Sequence, residues 1–332
     1  MTQPFRLGFL THLEGSGTPQ QIYQNALEII VAADDLGFDG YWIAQHHFTG
    51  HVGRMPAPFP FLAAAAERTK RLRLGTSIII LPLETPLRVA EDAAVVDTLS
   101  GGRLELGIGS GSDFKEFEAF DIDPGSRFEK TTEGFQLLKR AFRGEPLGEN
   151  GQHLFPPVPT LVDRLWQSAG SERGAEFVAK NGAGMLLPRA AGGVDDETDE
   201  IQLRIVQRYK ASWQEQSAPR LGLSRSIYLG KDKQSVLKET GDAMLRDVGG
   251  RIRSGSLPAG LPMEEYFRVM HVAYGHPEEA AEMLRADKVL PHTTDLIVQF
   301  SPCFPPLNEA LTMLEQVATQ VAPALGWRPQ GQ

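Results

Sequence analysis

The sequence predicts one (β/α)8 TIM barrel, and three observations carry the prediction. Eight short apolar runs occur along 332 residues, a helix-patterned stretch follows each, and no linker-like break in composition separates them. Strands alternating with helices build a parallel sheet, and eight such units favour closure over an open doubly wound sheet. The predicted unit is a single domain over residues 1–332, with loop insertions near 144–163, 188–200 and 249–262 at the C-terminal face.

The first strand is predicted at 6–10, followed by a polar loop holding His12 and Glu14. Thr18 with Gln21 three residues later reads as a capping box with Pro19 at the first helical position. Ile22, Ala26, Ile29, Ile30 and Ala33 then repeat at helical spacing, and Gly37 ends that helix. A buried strand over 40–44 stops at Gln45, His46 and His47. An Ala-rich helix over 61–71 leads to a third strand at 74–81, a helix at 87–99 and a fourth strand at 103–109. After a polar and aromatic connection, 110–125, the helix 127–142 carries Phe128, Phe135, Leu138 and Phe142 on one stripe. Strands five, six and seven are placed at 165–169, 184–187 and 220–229. Helices follow at 172–181, from 201 and at 232–248. The helix 277–287, the strand 295–300 and the helix 307–321 complete the series.

Composition narrows the partners. The net charge is -9 with both signs interspersed, so no basic block invites nucleic acid or anionic lipid. A single cysteine, Cys303, rules out intrachain disulfides and multi-cysteine metal sites, as suits a reducing cytoplasm. The start MTQPFRLGFL has no signal-peptide pattern, and no apolar run reaches bilayer-spanning length. The expectation is a cytoplasmic protein acting on a small molecule.

In a barrel the functional rim is formed by the strand C-terminal ends and the loops after them. That rim collects Thr11 and His12; Gln45, His46 and His47; Ser110, Gly111 and Ser112; Gly170 and Ser171; Arg189; and Ser301. Imidazoles at a strand end can move protons near neutrality, although a lone His-His pair is more often structural or solvated than catalytic. Neighbouring strand residues point to opposite faces, so His46 is expected to face a pocket while His47 packs beside it. The same geometry argues against a shared metal, and no clustered carboxylates lie beside the pair. Gly170-Ser171 opens a helix, where free N–H groups suit a phosphate. An ordinary Ser cap reads the same way.

The segments GFLTHLEG, GFDGYWIAQHHF, RLRLGTSIIILP, LRVAEDAAVVDTLSGGRLELGIGSGS, SAGSERGAEFVAKNGAGM and TTDLIVQFSP, in that order, make the chain resemble the bacterial luciferase-like, flavin-dependent monooxygenases. The resemblance implies that His46 is the histidine over the flavin that handles protons. It implies that Ser77 and Ile78 form a bulge against the isoalloxazine, often with a non-proline cis peptide. It also implies that Gly170 and Ser171 bind the phosphate. Asp97, Ser100, Gly101 and Arg103 also match, and read as a structural turn.

Two departures stand out. Gln45 replaces a family Glu, which is expected to deprive the histidines of a charge partner and lower their pKa. Ser110 stands where luciferases proper have a phosphate-binding Arg, with Arg189 or Arg173 as substitutes. The implied activity is oxidation of a small organic substrate with reduced FMN and O2, in a pocket walled by Phe9, Trp42, Phe48 and Phe59. A separate flavin reductase and a homodimer through the second and third helices are the implied partners. The alternatives are deazaflavin-dependent hydride transfer on the same fold, a flavin-binding protein without turnover, and a metal hydrolase.

Overall fold

The computed structural model describes residues 4–48 and 53–329; the remainder of the expected domain, 1–3, 49–52 and 330–332, lies outside the described residues. The strands are β1 Arg6–Thr11, β2 Gly40–Ile43, β3 Arg73–Thr76, β4 Ile79–Ile80, β5 Leu104–Gly109, β6 Leu165–Ser168, β7 Gly184–Leu187, β8 Leu221–Leu229, β9 Val272–Gly275 and β10 Asp295–Phe300. All pairings are parallel. They run β10, β1, β2, β3, β5, β6, β7, β8 and back to β10, with β4 continuing the line of β3 against β5. This is a closed (β/α)8 barrel.

The main helices are α1 Pro19–Asp35, α2 Pro58–Ala66, α3 Pro86–Leu99, α4 Phe114–Ala119, α5 Arg127–Phe142, α6 Glu172–Lys180, α7 Thr198–Ser212, α8 Lys233–Arg253, α9 Met263–Val269, α10 Pro277–Ala286 and α11 Leu307–Gln316. The Thr18 capping box forms, and the five apolar residues expected on the inner face of α1 are buried.

The element boundaries differ from expectation in several places. α2 starts at Pro58 rather than 61 because proline fits the first turn of a helix, and it stops by 66. The connection 110–125 contains α4, N-capped by the Asp113 carboxylate. Phe128 is 61% exposed and leaves the stripe shared by Phe135, Leu138 and Phe142. α8 continues to Arg253, so the excursion placed at 249–262 begins later. The short α9 and β9 were not anticipated; β9 pairs with Ser226–Leu229, beyond the Leu221–Leu223 stretch that pairs with β7.

Strand alternation sorts two apolar clusters. The larger lies between sheet and helices and takes Phe9, Tyr41, Ile43 and Phe59. The smaller fills the barrel with Leu10, Trp42, Trp166, Leu186 and Ile297, with Ile78 packed against it. Trp42 and Trp166 meet edge to face, ring centroids 5.6 Å apart. Each ring needs a glycine beside it, since a Cβ on Gly75 would lie 2.2 Å from Trp42 and one on Gly184 2.4 Å from Trp166.

Below the tryptophans the N-terminal end of the barrel is closed by charge. Asp295 pairs with Arg6 at 2.7 Å and Arg73 at 3.2 Å. Glu105 pairs with Arg73 and accepts from Trp166 Nε1 at 2.5 Å. The turn residues behave as structure: the Arg103 guanidinium donates to the carbonyls of Ala66, Thr69, Leu72 and Ser100. Asp97 is bound by Arg164 at 2.6 Å.

Candidate active site

The C-terminal mouth of the barrel holds an imidazole pair. His12 follows β1 and His46 follows β2, and these strands are neighbours, so the two rings meet across one strand gap. His12 Nδ1 lies 2.8 Å from His46 Nε2, and His12 Nε2 lies 3.1 Å from Gln299 Oε1 on β10. An amide oxygen only accepts, so His12 carries its proton on Nε2. Its bare Nδ1 then accepts from His46 Nε2–H, which leaves His46 Nδ1 as the unprotonated nitrogen of that ring. The His46 amide is fixed to Met55 O at 3.0 Å. Gly53 lets the ring lie flat against the chain, since a Cβ there would sit 2.3 Å from His46 Cδ2.

Burial and the neighbouring His46 push His12 down to about 3, and burial with the neighbouring His47 lowers His46. Both rings are neutral at pH 7. His47 turns to the opposite side, 6% exposed, against the edge of Phe120 at 4.9 Å. Its backbone N–H donates to Glu116 Oε1 at 2.8 Å.

Gln45 does not serve the histidines. Its Oε1 accepts from Ile80 N–H at 2.7 Å, and its Nε2 donates to Glu84 Oε1 at 2.7 Å and Pro56 O at 3.2 Å. The lowered histidine pKa values therefore come from burial and from each other, not from a missing partner at position 45.

The third strand, placed at 74–81, is interrupted at Ser77 and Ile78, where the resemblance implies a bulge, and their peptide bond is cis. The two residues are half-exposed while Thr76 and Ile79 on either side are buried. Thr76 Oγ1 donates to Gly107 O at 2.7 Å and accepts from Gly107 N at 2.9 Å, restoring the ladder where the backbone leaves it. Ser77 N–H donates to Ile43 O at 2.8 Å.

A cavity of about 560 Å³ is lined by Ser110, Thr131, Ser168, Ser171 and Arg173 among others. Ser171 caps α6 by accepting from Gly174 N–H at 3.1 Å. Gly170 is exposed just before it and is not part of the lining. Gly109, which lines this cavity, has no room for a Cβ because Ile78 and Ser168 approach it to within 2.9 Å. A second cavity, of about 750 Å³, is lined by His12, Glu14, His46, Arg189 and Gln299, with residues of α8 on its wall.

Arg189 belongs to this second cavity and is tied to Asp247 at 2.8 Å and Ser301 at 2.7 Å, so Arg173 is the cation beside Ser110 and Ser171. The expected aromatic wall is redistributed. Phe9 and Phe59 face the helical layer, Trp42 lies in the barrel interior and Phe48 is 75% exposed. His12 and Gln299 were not assigned a role from sequence. The signal for both was their place at the ends of strands adjacent to, or one removed from, the His46 strand. Among the described residues, no three His, Cys, Asp or Glu side chains are grouped to hold a metal ion. No helix among them is long and apolar enough to cross a membrane.

A family model described as luciferase-like monooxygenase matches residues 5–318. The uncharacterized protein y4wF of Sinorhizobium fredii is 34% identical over 248 residues, 72% of this chain and 71% of that protein. The oxygenase component of the flavin-dependent trigonelline monooxygenase of Acinetobacter baylyi is 26% identical over 244 residues, 70% of this chain and 67% of that protein. Among solved structures, the oxygenating constituent of 3,6-diketocamphane monooxygenase from Pseudomonas putida, in complex with FMN, superposes with a TM-score of 0.78 at 17% identity. It covers 98% of this chain and 99% of its own. The coenzyme F420 dependent tetrahydromethanopterin reductase of Methanopyrus kandleri gives 0.69 at 17% identity, covering 96% and 99%. At such identities these two likenesses carry the fold alone.

Proposed function

The chain belongs to the luciferase-like monooxygenase family and is an enzyme of that flavin-dependent kind; from this premise we propose that it uses reduced FMN and O2 to oxidise a small organic substrate. The observation that carries the reading is the neutral His12–His46 pair on the wall of one cavity, with the Ser77–Ile78 bulge bonded to the backbone of the strand end that carries His46.

The residues fit the cofactor. Ser110, Ser171 and Arg173, with the free N–H groups at the start of α6, offer hydroxyl, amide and guanidinium donors to a phosphate. Ser77 and Ile78 offer the half-exposed backbone step on which a flat ring would rest. When bound, reduced flavin supplies the electrons that activate O2. The chain supplies position, shielding and a proton path. Trp42 and Trp166 close the barrel beneath the site, and Phe300 lines the second cavity. His46 takes up or releases a proton at Nδ1, while its Nε2–H stays on His12 Nδ1 and fixes the ring in that tautomer. Gln299 keeps that acceptor free by holding the His12 proton on Nε2.

The phosphate cavity is open, and Arg173 at its edge is exposed. A site of that kind suits a cofactor that arrives reduced and leaves oxidised, so we assign reduction to a separate flavin reductase, as the component naming of the Acinetobacter relative suggests. Leu87, Val95 and Leu99 stand exposed at multiples of four along α3, which supports a homodimer through that helix.

Anaerobic titration with reduced FMN and, separately, reduced coenzyme F420 tests the cofactor assignment. FMN is expected to bind more tightly, with Arg173→Ala weakening it about tenfold. Tighter binding of the deazaflavin would overturn the FMN reading and favour hydride transfer on the same fold.

A further inference from the structure

The second cavity carries more positive charge than the rest of the molecule leads one to expect. The chain as a whole is at -9, yet three arginines, Arg189, Arg246 and Arg253, line this one space against Asp247 and Glu14. Arg189 is already neutralised, its Nη2 lying 2.8 and 3.0 Å from the two oxygens of Asp247. Burial pushes the Glu14 carboxyl up to about 7, so it offers at most part of a charge. Arg246 and Arg253 are left over. Both are exposed, and among the described residues neither side chain is seen in an ion pair or hydrogen bond. Arg68, Arg143 and Arg204 are likewise exposed and seen in no side-chain ion pair or hydrogen bond among the described residues, but they line neither cavity, whereas Arg246 and Arg253 share one wall.

Their spacing makes them one device. Positions 246, 250 and 253 fall on a single face of α8, and all three line the cavity. The middle one is Gly250, where a Cβ would meet nothing within 4 Å. Open space therefore lies over the helix backbone between the two arginine positions, on the wall of the cavity that His12 and His46 also line. Guanidinium groups of this kind bind planar oxyanions through paired N–H donors. A cavity of about 750 Å³ has the size of a small-molecule site.

We propose that the organic substrate carries a carboxylate or comparable oxyanion, which Arg246 and Arg253 receive while the rest of the molecule enters the cavity beside His46. This inference rests on the oxygenase reading, since it names the class of substrate for that same site. It assigns the two arginines to the substrate and not to the cofactor phosphate, whose donors lie in the other cavity.

The test measures Kd for small carboxylic acids, each paired with its neutral amide, by saturation-transfer NMR with and without reduced FMN under anaerobic conditions. Benzoate with benzamide, nicotinate with nicotinamide, and cyclohexanecarboxylate with its carboxamide make a suitable panel. At least one acid is expected to bind about tenfold or more tightly than its amide. That preference should vanish in R246Q/R253Q, and R246E/R253E should favour benzylamine over benzoate. All three proteins should titrate reduced FMN alike, so loss of FMN binding in the arginine variants would move these residues to the cofactor and overturn the proposal. An acid preference that is absent from the whole panel, or that survives R246Q/R253Q, also overturns it. Failure of the wild-type protein to bind reduced FMN bears on the flavin reading instead, because the acid preference is measured without flavin as well.

Discussion

His46 and His12 share one hydrogen bond but have different jobs. His46 bears the free Nδ1, so His46→Ala is expected to lower turnover by roughly 10²–10⁴-fold while reduced FMN still binds. Steady-state kinetics beside an anaerobic titration checks both halves. The pair also leaves a signature in stability. Folded His12 stays neutral down to about 3, whereas the unfolded chain takes up that proton near 6.5, so stability contributed here is lost as pH falls through that window. Glu14 has the opposite sign: the folded carboxyl keeps its proton up to about 7 and the unfolded one only to 4.5, so stability rises as pH falls between those values. Urea midpoints against pH should therefore fall more steeply between 6.5 and 4.5 in Glu14→Gln, and less steeply in His12→Gln.

At the scale of elements the break between β3 and β4 is held by two side chains, Thr76 against Gly107 and Gln45 against Ile80. Thr76→Val would leave the N–H and C=O of Gly107 without the oxygen they share, and should cost about 2 kcal/mol or more while weakening reduced FMN binding. Gln45→Glu would set a second carboxylate against Glu84, at a cost of roughly 1–3 kcal/mol, and adding Glu84→Gln should restore most of it. Chemical denaturation of the four proteins gives the coupling.

These braces mark what could be read from sequence and what could not. The capping box at Thr18 and the buried stripe of α1 were legible because both are local patterns. The position of the bulge came from family resemblance, since Ser77 and Ile78 sit inside an apolar run that gives no sign of interruption. The target of Gln45 was misread because its partners, Ile80 and Glu84, are 35 and 39 residues away in sequence. β9 is only four residues long and follows a seven-residue helix, too short for periodicity to register.

For the molecule as a whole, alternation of strand and helix was enough to foresee closure. The charged floor was not foreseeable, because Arg6, Arg73, Glu105 and Asp295 come from four separate strands and meet only once the ring is shut. Outside the barrel, the exposed Leu87, Val95 and Leu99 of α3 make an assembly claim: light scattering is expected to give a dimer, and Val95→Glu with Leu99→Lys a monomer. The central claim concerns the two cavities, one of them walled by the imidazole pair, acting as one oxygenase site. It is tested most directly by loading the protein with reduced FMN without oxygen, mixing it with oxygenated buffer and following the return of oxidised-flavin absorption. Reoxidation on the protein should be slower than in free solution, with a time course that changes in His46→Ala. Reduced FMN that stays unbound, or reoxidises at the free-solution rate in the presence of the protein, would contradict the account.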